Sequence, residues 1–274
     1  MESGVVSSLE TLCAAVPDGA LLAVPKDSSG VAMAATRELV RRGVRDLRLV
    51  CVPVGGLQAD ILIGAGAVAT IETSAVTLGE FGSAPRFAAA LRDGAIHVLD
   101  ATCPAIYAAL QAGEKGIPFM PLRGLIGTDL LRHRRDWKVI DNPFREQDRI
   151  VALPAIRPDV ALFHAPLADR HGNVLVGAKR ELMLMAHAAA QTLVTVEEFT
   201  DENLLDDPQR SAGVLPAIYV TRVAAAKCGA WPLAFWDLYP EDEVALENYV
   251  AAAGTDTGFT KFLDTWLDTR RAVA

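Results

Sequence analysis

The sequence predicts an α/β fold: an open, largely parallel sheet with helices on both faces. Three observations carry this reading. Short apolar, β-branched runs alternate with segments of helical spacing, several of those runs are apolar on both faces, and glycines punctuate the helix ends.

In chain order, LLAV (21–24), RLVCV (48–52), DILI (60–63), IHVL (96–99), VALFH (160–164) and LVTV (193–196) read as strands. Strands apolar on both faces are those that helices cover from each side. Helix-forming residues at helical spacing fill 31–43, 85–94 and 181–190, and two further helices are expected at 241–254 and 259–271. Gly43 after Arg41 and Arg42, and Gly94 after Arg92 and Asp93, mark helix C-termini. Residues 121–148 and 200–216 resist either period and are expected as functional or interfacial loops.

With 274 residues, 51% of them hydrophobic, and a mean hydropathy of +0.25, the chain has material for a large core. No repeat, low-complexity tail or linker divides it, so 1–274 is expected to be a single domain. The apolar runs never reach 18 residues without a charge or a proline, and the N-terminus lacks an export signal, so a cytoplasmic location is expected. Cys13, Cys51, Cys103 and Cys228 stand far apart with no CxxC pair, which fits neither a disulfide framework nor structural zinc; three of them are expected to be buried. A net charge of −8 and a pI near 5.2 argue against nucleic acid and membrane surfaces and leave a small molecule or another protein as partner.

Gly64-Ala65-Gly66-Ala67-Val68-Ala69 matches a dinucleotide fingerprint, GxGxxA. That fingerprint needs a helix to receive the pyrophosphate, whereas five of the eight residues at 70–77 are β-branched and predict a strand. The expectation is a glycine turn between two strands, with a ligand-facing loop as the alternative.

The next junctions are better placed for chemistry, because ligands of open α/β sheets bind at the carboxyl ends of the strands. Ser74, Gly79 and Phe81 precede a helix and are candidates to line a thioester or carboxylate pocket, with the hydroxyl and backbone N–H groups as oxyanion donors. Asp100, Thr102 and Cys103 stand at the same edge. A thiol at a helix N-terminus is a conceivable nucleophile; the plainer reading has Thr102 cap the helix, Pro104 fill its first turn and Cys103 simply pack.

Loop 121–148 holds Arg123, Arg132, Arg134, Arg135, Lys138 and Arg145 against Asp129, Asp136, Asp141, Glu146 and Asp148, either a phosphate clamp or a mixed surface facing solvent or another protein chain. His164, Asp169 and His171 fall close together, but 169–173 has the composition of a tight turn, and no metal is expected. Glu197 and Glu198 close a strand, where a desolvated carboxylate serves as general base; Glu198, Lys26 and Arg123 stand as secondary site candidates. GxSxG and P-loop motifs are absent, which excludes the serine-hydrolase and P-loop readings.

The segments ADILIGAGAVATIETSAVTLGEFGSAPRF, GIPFMPLRGLIGTDL, RPDVALFHAPLADRHGNVLVG, LVTVEEF and LYPEDEVALENYV come in the order seen in α subunits of class I CoA-transferases, and from Asp18 to about Ala253 the chain resembles the α subunits of the glutaconate CoA-transferase type. The resemblance implies an α/β fold, a β-type partner subunit in an α2β2 or larger hetero-oligomer, a coenzyme A thioester as substrate with no permanently bound cofactor, and an active site at the interface of the two chains. In such transferases a glutamate of the β-type sequence, in a Ser-Glu-Asn-Gly setting, attacks the acyl-CoA to give an acyl-glutamyl anhydride and then an enzyme-CoA thioester. Here Glu202-Asn203 is followed by Leu204 and Glu247-Asn248 by Tyr249, so the nucleophile is expected in trans and no catalytic residue is assigned to this chain.

Two departures from the family pattern stand out. Pro25-Lys26-Asp27 replaces a Gly-Gly-Phe loop, and Lys227-Cys228-Gly229-Ala230 stands where many relatives read Pro-Gly-Gly-Ala. Superfamily members that hydrolyse, ring-open or decarboxylate CoA thioesters share the fold, so a hydrolase or lyase complex is the second expectation, and a non-catalytic acyl-CoA sensor the third.

Overall fold

The computed structural model describes residues 5–268. Helix α1 (Leu9–Ala14) is capped by Ser8, whose Oγ accepts the Thr11 N–H at 3.2 Å. Strand–helix units follow: β1 (Leu21–Pro25), α2 (Met33–Arg42), β2 (Leu47–Val52), α3 (Leu57–Gly64), β3 (Val68–Thr73), α4 (Pro85–Arg92), β4 (His97–Asp100) and α5 (Cys103–Glu114). The chain then makes an excursion through β5 (Phe119–Leu122), α6 (Leu130–His133), β6 (Lys138–Asp141) and β7 (Arg149–Pro154), whose strands form a small antiparallel sheet in the order β5-β7-β6. It returns as β8 (Val160–Asp169), β9 (Val174–Leu175), α7 (Arg180–Ala188), β10 (Gln191–Thr200), β11 (Val214–Leu215) and β12 (Arg222–Ala225), and closes with α8 (Glu243–Ala253) and α9 (Asp256–Asp268).

Among the described residues seven strands run parallel in the order β12-β10-β8-β1-β2-β3-β4, and β9 and β11 add an antiparallel fringe beside β8. Strand order reverses between β1 and β8, so the crevice at their carboxyl ends is the topological switch point. Alternation along the strands feeds two cores. Leu22, Val24, Leu49, Cys51 and Leu162 pack with α1, α2 and α3, whereas Ala23, Val50, Val52, Phe163 and Val194 pack with α5 and α7. A third cluster joins Leu57 and Ile61 of α3 to Leu246 and Tyr249 of α8 and to Phe259 and Trp266 of α9. Each fully buried leucine contributes roughly 1.5–3 kcal/mol, so burial on both faces of the sheet dominates the fold's stability.

The run DILI is not a strand but the second half of α3, a correction to the sequence reading. Every residue from Leu57 to Ile63 is buried between the sheet and the C-terminal helices, so the helix has no polar face and no 3.6-residue signature. The glycine turn accordingly joins a helix to β3, not two strands. A Cβ on Gly64 would lie 2.5 Å from Phe259 Cζ and 2.7 Å from Arg86 Cγ, so this glycine serves helix packing. The expected strand at 70–77 is present as β3, ending at Thr73.

The other expected strands and helices form, the last as α9, while residues 269–271 of its expected span lie outside the described residues. Loop 121–148 is partly structured, carrying the end of β5 with α6 and β6, and 200–216 is built from short 3-10 turns ahead of β11. Among the described residues no helix is long and apolar enough to cross a membrane.

Candidate functional site

Two loops at the carboxyl edge are zipped together. Gly55 N–H donates to Ala75 O at 2.9 Å, Thr77 N–H to Gly55 O at 3.0 Å and Ser74 N–H to Pro53 O at 3.0 Å, which extends the β2–β3 pairing past the end of the sheet. The Ser74 hydroxyl donates to Pro53 O at 2.8 Å and lies 3.2 Å from Cys103 Sγ. Thus Ser74 and Cys103, from two different strand ends, are brought together. Cys103 is exposed at the start of α5 and Cys228 is half-buried, so two thiols and not the expected three are buried, Cys13 and Cys51, which burial pushes up to about 12. Thr102 Oγ1 caps α5 by accepting the Ala105 N–H at 3.3 Å. Asp100 is exposed, and its backbone carbonyl accepts a bond from Arg134 Nη1 at 3.2 Å.

Beside this edge opens a cleft of about 490 Å³ between the turn at Lys26–Ser28, the junction Gly55–Leu57, the loop Thr77–Phe81, and Leu233, Glu241 and Leu246. Gly79 and Phe81 line it, as does Lys26, so three of the sequence candidates share one concavity. Lys26 Nζ lies 3.7 Å from the Glu181 carboxylate, which also accepts the Ser29 hydroxyl at 2.5 Å. Burial acts to raise Glu181, but the Ser29 bond and the neighbouring lysines hold it below its ordinary value. The Asp27 carboxyl is enclosed over Gly56. Its Oδ2 accepts the Leu57 N–H at 3.0 Å, and its buried Oδ1 meets no donor among the described residues. Burial pushes this carboxyl up to about 6, against the Leu57 bond and with help from Asp60.

A second polar network joins the middle of β8 and of β10 to the chain that follows β12. His164 is fully buried, and burial lowers its pKa in spite of Glu197. Its Nε2–H donates to Glu197 Oε1 at 2.7 Å, and its Nδ1 lies within hydrogen-bond distance of the Thr195 hydroxyl, at 2.8 Å. Glu197 also accepts Tyr239 OH at 2.8 Å and the N–H groups of Cys228 and Gly229 at 2.7 and 3.1 Å. Glu197 is therefore saturated, and Glu198 beside it is exposed.

Asp169 accepts the N–H groups of His171, Asn173 and Leu204 at 2.9, 3.0 and 3.0 Å and the Asn173 side-chain amide at 2.7 Å. Its turn is built by these bonds, and among the described residues no group of three or more His, Cys, Asp or Glu side chains is placed to hold a metal ion.

Loop 121–148 sorts its charges by burial. Arg123 pairs Asp148 at 2.6 Å and does not line the cleft. Arg134 is buried: it donates to Glu72 at 2.7 Å and to both oxygens of Asp136 at 3.0 and 2.8 Å, and stacks over Trp137 at 4.1 Å. It borders a second cavity, of about 440 Å³, under the sheet near Leu21, Arg48 and Arg157.

Sequence reasoning missed Gly55, Gly56, Tyr239 and Glu241, and read Asp27 only as part of the departure Pro25-Lys26-Asp27. A Gly-Gly pair directly after a strand was the available signal for the first two, masked once α3 was read as a strand.

A family model for coenzyme A transferase matches residues 6–226. The A subunit of the 3-oxoadipate CoA-transferase of Pseudomonas knackmussii is 32% identical over 259 residues, spanning 92% of this chain and 89% of that protein. The A subunit of the glutaconate CoA-transferase of Acidaminococcus fermentans is 32% identical over 252 residues, 85% of this chain and 78% of that protein. The crystal structure of the Acidaminococcus fermentans glutaconate transferase matches with a TM-score of 0.90 at 27% identity, over 98% of this chain and 90% of that one. The crystal structure of a single-residue variant of the decarboxylase AibA/AibB matches with a TM-score of 0.86 at 32% identity, over 98% and 100% of the two chains.

Proposed function

Since the chain belongs to the coenzyme A transferase family, we propose that it is the A-type subunit of a cytosolic hetero-oligomer that moves coenzyme A between an acyl-CoA and a free carboxylic acid. In this reading residues 1–274 act as one domain, and a B-type partner lends the attacking glutamate.

The observation that carries the proposal is that the carboxyl-edge cleft holds no well-placed attacking carboxylate among the described residues. Its floor is glycine backbone and its walls are largely apolar, while Glu80 and Glu241 stand at its exposed rim and Asp27 turns its carboxyl onto the start of α3. Among the described residues no carboxylate there is oriented by a donor for attack on a thioester, and Glu197, the well-oriented one, is saturated by four groups. A surface that shapes and shields, but supplies no attacking group, fits covalent catalysis in trans. Attack by the partner's carboxylate on the thioester carbonyl forms an anhydride and expels CoA thiolate; the part of this chain is to hold the acyl group against that carboxylate.

Co-purification with the partner and exchange of label from acetyl-CoA into a free acid test the proposal. Exchange is expected from the complex and not from either chain alone. Full turnover by the isolated chain refutes it. A second reading, a lyase or hydrolase complex, is favoured by the 32% identity to AibA/AibB and by Pro25-Lys26-Asp27 in place of a glycine loop; release of CO2 or free CoA without an acceptor acid selects it.

A further inference from the structure

The ionisable side chains that line the carboxyl-edge cleft include more acids than bases. Val54, Leu57, Leu78, Phe81, Leu233 and Leu246 make its walls apolar. Among the described residues four ionisable side chains line it, the acids Asp27, Glu80 and Glu241 and the base Lys26. That base is already engaged, because its ammonium faces Glu181 at 3.7 Å.

Glutaconate and 3-oxoadipate, named for the two relatives, are dicarboxylic acids. A second carboxylate entering this cleft would lose water without meeting an unengaged cation among the described residues that line it, and would face Glu80 and Glu241 at the rim. An aliphatic chain would instead bury its methylenes against leucine and phenylalanine. We propose that the acyl group selected by this chain is uncharged and apolar, carried as the CoA thioester of a monocarboxylic acid. This rests on the cleft being the acyl site of the proposed transferase.

Pentanoyl and glutaryl groups have the same number of carbons and differ by one carboxylate. Their carba(dethia)-CoA analogues, in which a methylene replaces the thioester sulfur, bind without reacting, so calorimetric titration of the assembled complex reads selection apart from chemistry. The pentanoyl analogue is expected to bind about tenfold tighter or more. Glu80→Lys with Glu241→Lys, both at exposed positions, is expected to bring that ratio toward one. Equal or tighter binding of the glutaryl analogue to the unmodified complex, or a ratio unmoved by the two substitutions, overturns the inference. Label exchange separates the two ideas: an exchanging complex that prefers glutaryl overturns the inference and leaves the transferase reading, whereas a complex that prefers pentanoyl without exchanging does the reverse.

Discussion

His164 and Glu197 form a buried pair in which the imidazole Nε2–H donates to the carboxylate across 2.7 Å. Through it β8 is tied to β10, and the same carboxylate gathers Tyr239 and the backbone of Cys228 and Gly229, which fastens the chain after β12 to the sheet edge. A residue with the credentials of a general base is thereby a structural hub.

Glu197→Gln is expected to destabilise the fold by about 2–4 kcal/mol, since the neutral amide weakens charge-assisted bonds and turns an NH2 toward donors. Burial alone would raise this carboxyl, but the His164, Tyr239 and Cys228 bonds hold it below its ordinary value. A depressed carboxylate stabilises the fold above its unfolded-state pKa and loses that contribution as pH falls through its native pKa. The gap between wild type and variant in urea denaturation should therefore be full at neutral pH and shrink under acid; equal midpoints at pH 7 would contradict this account.

Asp27 shows the opposite sign. Its carboxyl is raised to about 6 from an ordinary 3.8, so between those values the native state binds more protons than the unfolded chain, and stability falls as pH rises through the window. The ionised group costs roughly 2–3 kcal/mol above pH 6. Asp27→Asn keeps an acceptor for the Leu57 N–H and removes the charge. Thermal melts at pH 7.5 should find the variant more stable than wild type, with the advantage gone by pH 4; a variant less stable at both would show that the carboxylate itself is needed.

These two carboxylates also mark how far the sequence could be read. Strands β1, β2, β8 and β10 were legible because alternate residues feed two apolar cores and leave no polar face. Helix α3 was not, because burial on all sides erased its period, and with it went the meaning of Gly55-Gly56 as a strand-to-helix junction. Ser74 and Cys103 each follow a strand, a local property, and the fold sets them 3.2 Å apart. Glu197 with Tyr239, and Arg134 with Glu72, are partnerships across 42 and 62 residues that no local pattern encodes. The composition of loop 121–148 shows six bases but not which guanidinium is enclosed.

Arg134 is that guanidinium, buried against Trp137 with Glu72 and Asp136 as its counter-charges. Burial pushes Glu72 upward even with Arg134 beside it. Removing the cation leaves a carboxylate enclosed without compensation, so Arg134→Ala is expected to cost about 3–5 kcal/mol. Adding Glu72→Gln should recover part of that loss, and strictly additive costs in chemical denaturation would mean that the pair is not coupled.

The contact between Asp27 and Gly56 supplies the last test. A Cβ built on Gly56 would fall 2.1 Å from Asp27 Oδ2 and 2.2 Å from its Cγ, closer than side-chain atoms approach, so Gly56→Ala must displace the carboxyl from its bond to the Leu57 N–H. A loss of about 2–4 kcal/mol is expected, from overpacking together with a vacated helix N-terminus. Asp27→Ala removes the obstructing atoms, and in that background the added methyl should cost much less. Urea denaturation of the two single variants and the double variant measures the coupling. Were Gly56→Ala equally costly with and without Asp27, the glycine would owe its place to backbone conformation rather than to this carboxyl, and the Asp27 side chain would not be what seats the Gly55–Leu57 junction at the floor of the cleft.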